Sequence, residues 1–353
     1  MKIQAATKAY DVSIHNDFEP VKNISIDEKT FVVIDKTLYE IYKKELFDSI
    51  PEKQLYILEA TEERKVIDTA LEICEIMTEI SAKRNTKLIS FGGGIVQDVT
   101  GFVANILYRG IHWTFFPTTL LAGCDSCIGG KTSLNYKKFK NLLGTFYPPD
   151  SIYVCTPFFK SLSEKDFKSG LGEVVKFNVM QKEEGVANME ANLQKLLERD
   201  DEVLRRFVES SLAFKKNFIE VDEFDQGERI KLNFAHTFGH AFEAVSDYGI
   251  PHGTAVAMGT LVANYISEKR GWLSKDIVSR MEKVLLPIIP VKGSDLDFPI
   301  NDILSAIHKD KKQTSSSLTA VLMQGQEMEL HIVNDVTEDE IKEAIDYLYG
   351  ILK

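Results

Sequence analysis

Three of the seven histidines lie between residues 236 and 252. His236-Thr237-Phe238-Gly239-His240 places two imidazoles at i and i+4, on one helical face. His252 follows a turn at Asp247 to Gly249 and opens another helical pattern. A divalent site needs a carboxylate as well. Glu173, in Gly172-Glu173-Val174-Val175-Lys176, interrupts an otherwise apolar helix face, where an unpaired charge would be expensive to bury. Two histidines and a carboxylate with an open position suit a catalytic zinc, or a similar ion, that polarises a hydroxyl. Any one of these histidines read alone is a helix-packing residue; the cluster favours a metal.

Cations accompany the cluster: Lys176, Lys215, Arg229, the donor Asn233, and the run Lys309-Asp310-Lys311-Lys312. A charge run by itself is a solvated face. In an acidic protein, cations spread over several segments beside a metal point to an anionic substrate carrying phosphate and carboxylate. Gly129-Gly130-Lys131-Thr132 imitates the tail of a P-loop, but Asp125 stands where the first glycine is required, which disfavours an ATP-type loop. Lys131 can still offer a point charge to an anion; a solvated lysine after a turn is the plain alternative. Lys140 and Asn141 add a further donor pair.

A third set suits a dinucleotide. Phe91-Gly92-Gly93-Gly94-Ile95-Val96-Gln97-Asp98 follows an expected strand and opens an expected helix, so backbone N–H groups can approach a pyrophosphate. It fails as G-x-G-x-x-G because Gln97 holds the third position. Asp35 at a strand end, Glu62 and Lys65 at a strand-to-helix junction, and Pro117-Thr118-Thr119 past another strand strengthen the nucleotide reading.

The elements that must position these residues change character along the chain. Up to about residue 155, β-branched or aromatic runs (Phe31 to Asp35, Gln54 to Leu58, Leu88 to Phe91, Trp113 to Phe116, Ile152 to Cys155) alternate with helical patterns, the longest from about Lys65 to Arg84. That alternation predicts a parallel sheet with crossover helices. From Ser163 helical patterns dominate, with a strand pair near Leu318 to Met323 and Glu329 to Val333, and Thr337 and Glu340 open a last helix as a capping box. The expected fold is α/β: a Rossmann-like N-terminal domain over residues 1–157 and a mainly α-helical, metal-binding C-terminal domain over 158–353.

The 353 residues carry 42 basic and 53 acidic side chains, a formal charge of −11. Such a balance argues against a general nucleic-acid binder. No apolar run approaches the ~18 residues of a membrane span, and Met1 to Lys8 lack the apolar core of a signal peptide, so a cytoplasmic protein is expected. Four cysteines make no disulfide framework; Cys124 and Cys127 form a lone C-x-x-C inside the loop before Lys131, which disfavours a redox pair.

From about Phe31 to Lys312 the chain resembles the 3-dehydroquinate synthase family of sugar phosphate cyclases. The resemblance rests on Gly92 to Asp98, Tyr108-Arg109-Gly110, Pro117 to Ala122, Asp125-Ser126 with Gly129 to Thr132, Lys140-Asn141, Glu173 to Lys176, Arg229 to Asn233, His236 to Ala241 and His252-Gly253. It implies NAD and a zinc or cobalt ion as cofactors, a homodimer, and conversion of 3-deoxy-D-arabino-heptulosonate 7-phosphate to 3-dehydroquinate and phosphate on the route to chorismate and aromatic amino acids. The implied sequence is transient oxidation of an alcohol, phosphate elimination, return of the hydride, ring opening and aldol closure. The substrate's own phosphate takes the elimination proton.

By the same resemblance Glu173, His236 and His252 are the metal ligands and His240 a proton-handling or phosphate-binding neighbour. Lys131, Asn141, Lys176, Lys215, Arg229, Asn233 and one of Lys311 and Lys312 are substrate donors; Asp125 is a metal-proximal carboxylate; Arg109 reaches the partner subunit's site. Asp35, Glu62, Lys65, Gly93, Gly94, Asp98, Thr118, Thr119, Lys131 and Lys140 are the cofactor contacts. Gln97, Cys124, Cys127, Asp225 and Ala235 depart from the family's pattern, Ala235 and Gln97 where it has glycine. Two other readings compete: a metal-dependent polyol dehydrogenase, which has no need of so many phosphate-directed cations, and a silent metabolite sensor, which need not keep an open Lewis-acid site.

Overall fold

Runs of β-branched and aromatic residues buried on both faces become the middle of one sheet, as parallel strands covered by helices require. The computed structural model describes residues 1–80, 82–309 and 318–352. Lys311 and Lys312 lie outside them. The first part contains strands β1 (Lys2–Gln4), β2 (Ala9–His15), β3 (Thr30–Asp35), β4 (Leu55–Leu58), β5 (Lys87–Gly92), β6 (His112–Pro117), β7 (Lys131–Tyr136), β8 (Phe139–Phe146) and β9 (Ser151–Cys155). Between them run helices α1 (Glu19–Lys22), α2 (Lys36–Tyr42), α3 (Ile67–Glu79) and α4 (Gly94–Ile106).

The main sheet has the order β1-β2-β9-β6-β5-β3-β4, parallel except for the β1–β2 edge pair. The chain passes from β3 to β4 on one side and returns to place β5 on the other, so the winding reverses between β3 and β5. Ligands of open α/β sheets sit outside the carboxyl ends of strands at such a reversal. Asp35 ends β3 there, and Gly92 ends β5 in register with Pro117 of β6. All five strands expected from composition are present. The short β1 and β2 and the separate β7–β8 hairpin were not anticipated, because each carries few core-facing residues. The expected helix from Lys65 to Arg84 is shorter, α3, since Glu62–Arg64 forms a 3-10 turn and Val66 is extended.

The second part holds α5 (Glu164–Val179), α6 (Lys182–Leu197), α7 (Asp201–Val221), α8 (His236–Val245), α9 (His252–Lys269), α10 (Lys275–Leu285) and α11 (Ile300–Lys309), the antiparallel pair β10 (Leu318–Gln324) and β11 (Glu329–Val336), and α12 (Glu338–Ile351). Both bonds of the Thr337/Glu340 capping box are made. No helix among the described residues is long and apolar enough to cross a membrane.

Contacts gather into two units, Met1–Ser161 with Leu204–Phe224, and Leu162–Val203 with Asp225–Lys353. A division at 157/158 would put residues 204–224 in the second unit; the contacts put them in the first. Glu220 and Glu223 accept hydrogen bonds from the backbone N–H groups of Gln4 and Thr7 (2.8 and 2.7 Å), and Phe224 meets Phe146 edge-on. Partners so far away in sequence leave no periodic trace.

Within the second unit α9 is buried nearly all round, as a central helix must be. It crosses α5 backbone to backbone: a Cβ on Gly172 would stand 1.9 Å from the Gly253 carbonyl oxygen, and one on Gly253 1.7 Å from that of Ser169. At the crossing with α8, a Cβ on Gly259 would stand 2.4 Å from the Ala235 carbonyl oxygen. Gly253→Ala is therefore expected to destabilise the chain by at least ~1–3 kcal/mol through overpacking. Gly350→Ala, in α12 with nothing within 4 Å, should stabilise it by up to ~1 kcal/mol. Urea midpoints of the two variants against the parent check both signs.

Candidate functional site

The α5–α9 crossing sets the position of Glu173 and His252, each next to one of its two glycines. Glu173 has no exposed surface. His252 Nε2 stands 3.3 Å and His236 Nε2 3.6 Å from its Oε1, and Lys176 Nζ, one turn on, 2.7 Å from its Oε2. Yet neither carboxylate oxygen has a hydrogen-bond partner of proper geometry among the described residues. Burial opposes the charge on Glu173, but Lys176 and the two imidazoles overcome it and hold the carboxyl well below its usual range.

The imidazoles are oriented from behind. His236 Nδ1 donates to the Phe234 carbonyl (3.0 Å), across a reversal in which Ala235 takes a left-handed conformation (φ 70°) at a cost of about 1–2 kcal/mol. Glycine would adopt it freely. His252 Nδ1 bonds Glu243 Oε2 (3.0 Å). Burial opposes charge on His252, but Glu173 and Glu243 on its two sides push the ring up to about 10. Both Nε2 atoms are thereby turned toward Glu173.

The ligand atoms of Glu173, His236 and His252 lie within 4.8 Å of one another. Ligands about 2.0–2.2 Å from a tetrahedral zinc are roughly 3.3 Å apart, close to the observed spacings. A buried carboxylate with two orphaned oxygens facing two oriented imidazoles fits a divalent cation. His240, its ring 5.3 Å from that of His236 and 6.1 Å from that of His252, is grouped with Glu243 and His252 and not with Glu173.

Of the expected substrate donors in this unit, Lys176 is buried, its ammonium also donating to the Leu232 carbonyl (3.1 Å). Arg229, buried, and Asn233, half-buried, occupy the 3-10 turn Glu228–Asn233 just before α8. Lys311 is outside the described residues.

In the first unit the glycine turn leads from β5 into α4. A Cβ at Gly92 would collide with Val96 and one at Gly93 with Thr119 (2.9 Å), so these two are required by packing. A Cβ at Gly94 would meet only Ser126 Oγ, at 3.9 Å. The space over Gly94 is open, as close approach of a pyrophosphate requires. Gln97 does not occupy it. Its side chain is buried against the loop, donating to the Ser126 carbonyl (2.6 Å) and accepting from Ser126 Oγ (2.7 Å).

Asp35 caps α2 through Leu38 N–H (3.0 Å), and burial raises its pKa. Thr118 N–H donates to Gly92 O, and Thr119 Oγ1 accepts from Ala122 N–H. Lys65 pairs with Asp98 (2.5 Å) and donates to Asn141 Oδ1 (2.7 Å), while Ser133 donates its backbone N–H to one Asp98 oxygen and its hydroxyl stands within hydrogen-bond reach of the other and of Asn141 Oδ1. Lys140 and Asn135 meet Glu62. Expected cofactor contacts and one expected substrate donor, Asn141, thus share one network with the β7–β8 hairpin.

Lys131 begins β7, exposed, after Gly129 and Gly130 at positive φ. Lys215 of α7 reaches Asp125, 2.7 Å from Oδ1 and 2.8 Å from its carbonyl. Cys124 and Cys127 are buried, and burial pushes the Cys127 thiol up to about 12, so Cys127 is not poised for redox exchange. Arg109 is exposed on a turn where it and Tyr108 have positive φ (63° and 52°). The sequence reading assigned no role to Glu243, Ser133, Asn135 or Ser126. Only Glu243 had a signal, seven residues after His236 on one helical face.

Two adjoining family profiles match the chain, 3-dehydroquinate synthase N-terminal over residues 55–169 and 3-dehydroquinate synthase C-terminal over 170–313. A 3-dehydroquinate synthase of Clostridium tetani is 38% identical over 94% of the chain and 89% of its own length, and one of Dictyoglomus turgidum 37% identical over 90% of each. Among solved structures, a 2-epi-5-epi-valiolone synthase of Streptomyces hygroscopicus subsp. jinggangensis with NAD+ and Zn2+ bound superposes with TM-score 0.84 at 22% identity, covering 97% of each chain. A 2-deoxy-scyllo-inosose synthase complexed with carbaglucose-6-phosphate, NAD+ and Co2+ gives 0.83 at 24%, covering 98% of each. At those identities the structures establish the shared fold. The profiles and the close relatives establish more: the chain belongs to the 3-dehydroquinate synthase family.

Proposed function

We propose that this chain converts 3-deoxy-D-arabino-heptulosonate 7-phosphate to 3-dehydroquinate and phosphate, using NAD and a zinc or cobalt ion, as a homodimer. The observation that carries the reading is the buried Glu173 carboxylate, both oxygens orphaned, faced by the Nε2 atoms of His236 and His252. Those three residues would hold the cation. When bound, the cation supplies Lewis-acid polarisation of alcohol and ketone oxygens, and the nicotinamide supplies a reversible hydride acceptor.

The chain's own residues bind and orient. Lys176, anchored by the Leu232 carbonyl and Glu173, presents a fixed positive charge beside the cation ligands. Lys215 is held by Asp125, so its ammonium is ordered before substrate arrives. With Lys131, Asn141, Arg229 and Asn233, and one of Lys311 and Lys312, these are the proposed phosphate and carboxylate donors, and His240 the proton-handling neighbour. With the substrate's phosphate removing the elimination proton, the chain need only hold that phosphate in place. Glu62, Lys65, Asp98, Thr118, Thr119 and Lys140, with Asp35, Gly93, Gly94 and Lys131, are the proposed cofactor contacts, supported by the open space over Gly94. Cyclases acting on other sugar phosphates tend to depart at positions matching Lys131, Lys215, Asn233 or the late lysine; all four are retained here, which favours the heptulosonate.

Phosphate release from the heptulosonate phosphate, lost on chelation, restored by Zn2+ or Co2+ and unaccompanied by net NADH, is the expected result. Net NADH from glycerol or propanediol would favour a polyol dehydrogenase instead. His252→Ala should lower metal content and turnover together; a fully active, metal-loaded variant would refute the ligand assignment. Arg109, which makes no hydrogen bond or ion pair among the described residues, is proposed to reach the partner's site. Equal mixing of Arg109→Ala with Lys176→Ala should then restore roughly a quarter of the sites, those of mixed dimers with neither lesion. Absence of any recovery on subunit exchange would place Arg109 in its own subunit.

A further inference from the structure

We infer that Glu243 is a positioning residue for the cation site: it holds His252 in one tautomer and orientation, and so sets how tightly the ion is bound. The inference deepens the reading of Glu173, His236 and His252 as ligands and rests on it. α8 carries Glu243 two turns after His236, with its side chain mostly buried, and brings Oε2 to 3.0 Å from His252 Nδ1. Nδ1 is thereby engaged by Glu243, and Nε2, the atom 3.3 Å from Glu173 Oε1, is the ring nitrogen left to face the cation site.

The two imidazoles are held in different ways. His236 donates to a backbone carbonyl, that of Phe234, which is neutral and fixed by the chain. His252, the first residue of α9, depends on a charged side chain from another helix. A carboxylate behind a ligating imidazole fixes its ring and raises its basicity, and loss of such a partner typically weakens metal binding 10–100-fold.

His240, Glu243 and His252 also offer ligand atoms within 4.8 Å of one another, which raises the alternative that Glu243 ligates a second ion there. The Nδ1 hydrogen bond opposes it, because His252 is then left with one nitrogen for an ion, Nε2, and that nitrogen faces Glu173.

Metal-stripped wild type, Glu243→Gln and Glu243→Ala are titrated with Zn2+ against a chromophoric chelator, and the unfolding midpoint of each metal-free chain is measured in urea. Expected are one equivalent per chain in all three, with Kd weakened 10–100-fold in Glu243→Ala. In Glu243→Gln, whose amide oxygen still accepts from Nδ1, the weakening should be smaller. A role in folding alone would move the metal-free midpoint and leave Kd of the folded chain unchanged, overturning the inference. Two equivalents in wild type with one lost in Glu243→Ala, the other keeping its affinity, would overturn it in favour of the second site. A wild type that takes up no Zn2+ would overturn the ligand assignment itself and this inference with it; an unchanged Kd in Glu243→Ala beside a tight wild type overturns only the positioning role.

Discussion

A carboxylate sealed from water is the constraint around which the second unit is arranged. Ionised and unpaired, it would cost several kcal/mol. Lys176 offsets part of that cost from one turn away, but at a geometry that leaves both oxygens without a hydrogen bond. The remaining attraction comes from His236 and His252, whose Nε2 atoms face the same oxygen. A site so built has a net preference for positive charge at one point, with or without a proton on the rings, and a divalent ion satisfies that preference better than a proton does.

Proximity of that kind requires three helices closer together than ordinary side chains allow. Gly172 and Gly253 remove the side chains from the α5–α9 crossing, and Gly259 does so where α9 meets the Ala235 turn. Each proposed ligand stands next to such a contact or its strained turn: Glu173 after Gly172, His252 before Gly253, His236 after Ala235. Packing and chemistry therefore cannot be varied independently here. The departure from glycine at 235 leaves a left-handed alanine whose strain the surrounding packing must bear.

The first unit arranges its candidate cofactor residues by other means. The sheet's reversal between β3 and β5 brings Asp35 and the glycine turn to neighbouring strand ends, and Gly94 is left without a neighbour inside van der Waals distance of a Cβ except Ser126. Gln97, the departure that threatened this approach, is turned into the loop by Ser126 and takes no part in the turn's open side. The polar residues around it are tied to one another through Lys65, Asp98, Ser133 and Asn141, so the β7–β8 hairpin and the start of α4 are held as one structure.

Much of this was legible in the residues themselves. Periodicity and β-branched runs identify the parallel strands, because burial on two faces leaves a continuous apolar record. The spacing of His236, His240 and His252 with a lone acid at 173 marks a candidate cation site, because helical geometry is local and a buried charge is conspicuous in an apolar face. What only the tertiary structure decided concerns partners distant in sequence: that Glu243 rather than a backbone group stands behind His252, that His240 is grouped with Glu243 and His252, that residues 204–224 pack with the first unit, and that Lys65 meets Asn141 on a hairpin no pattern announced. Side-chain direction at a helix crossing depends on how closely two backbones approach, and that distance is a property of the folded pair, absent from either segment alone.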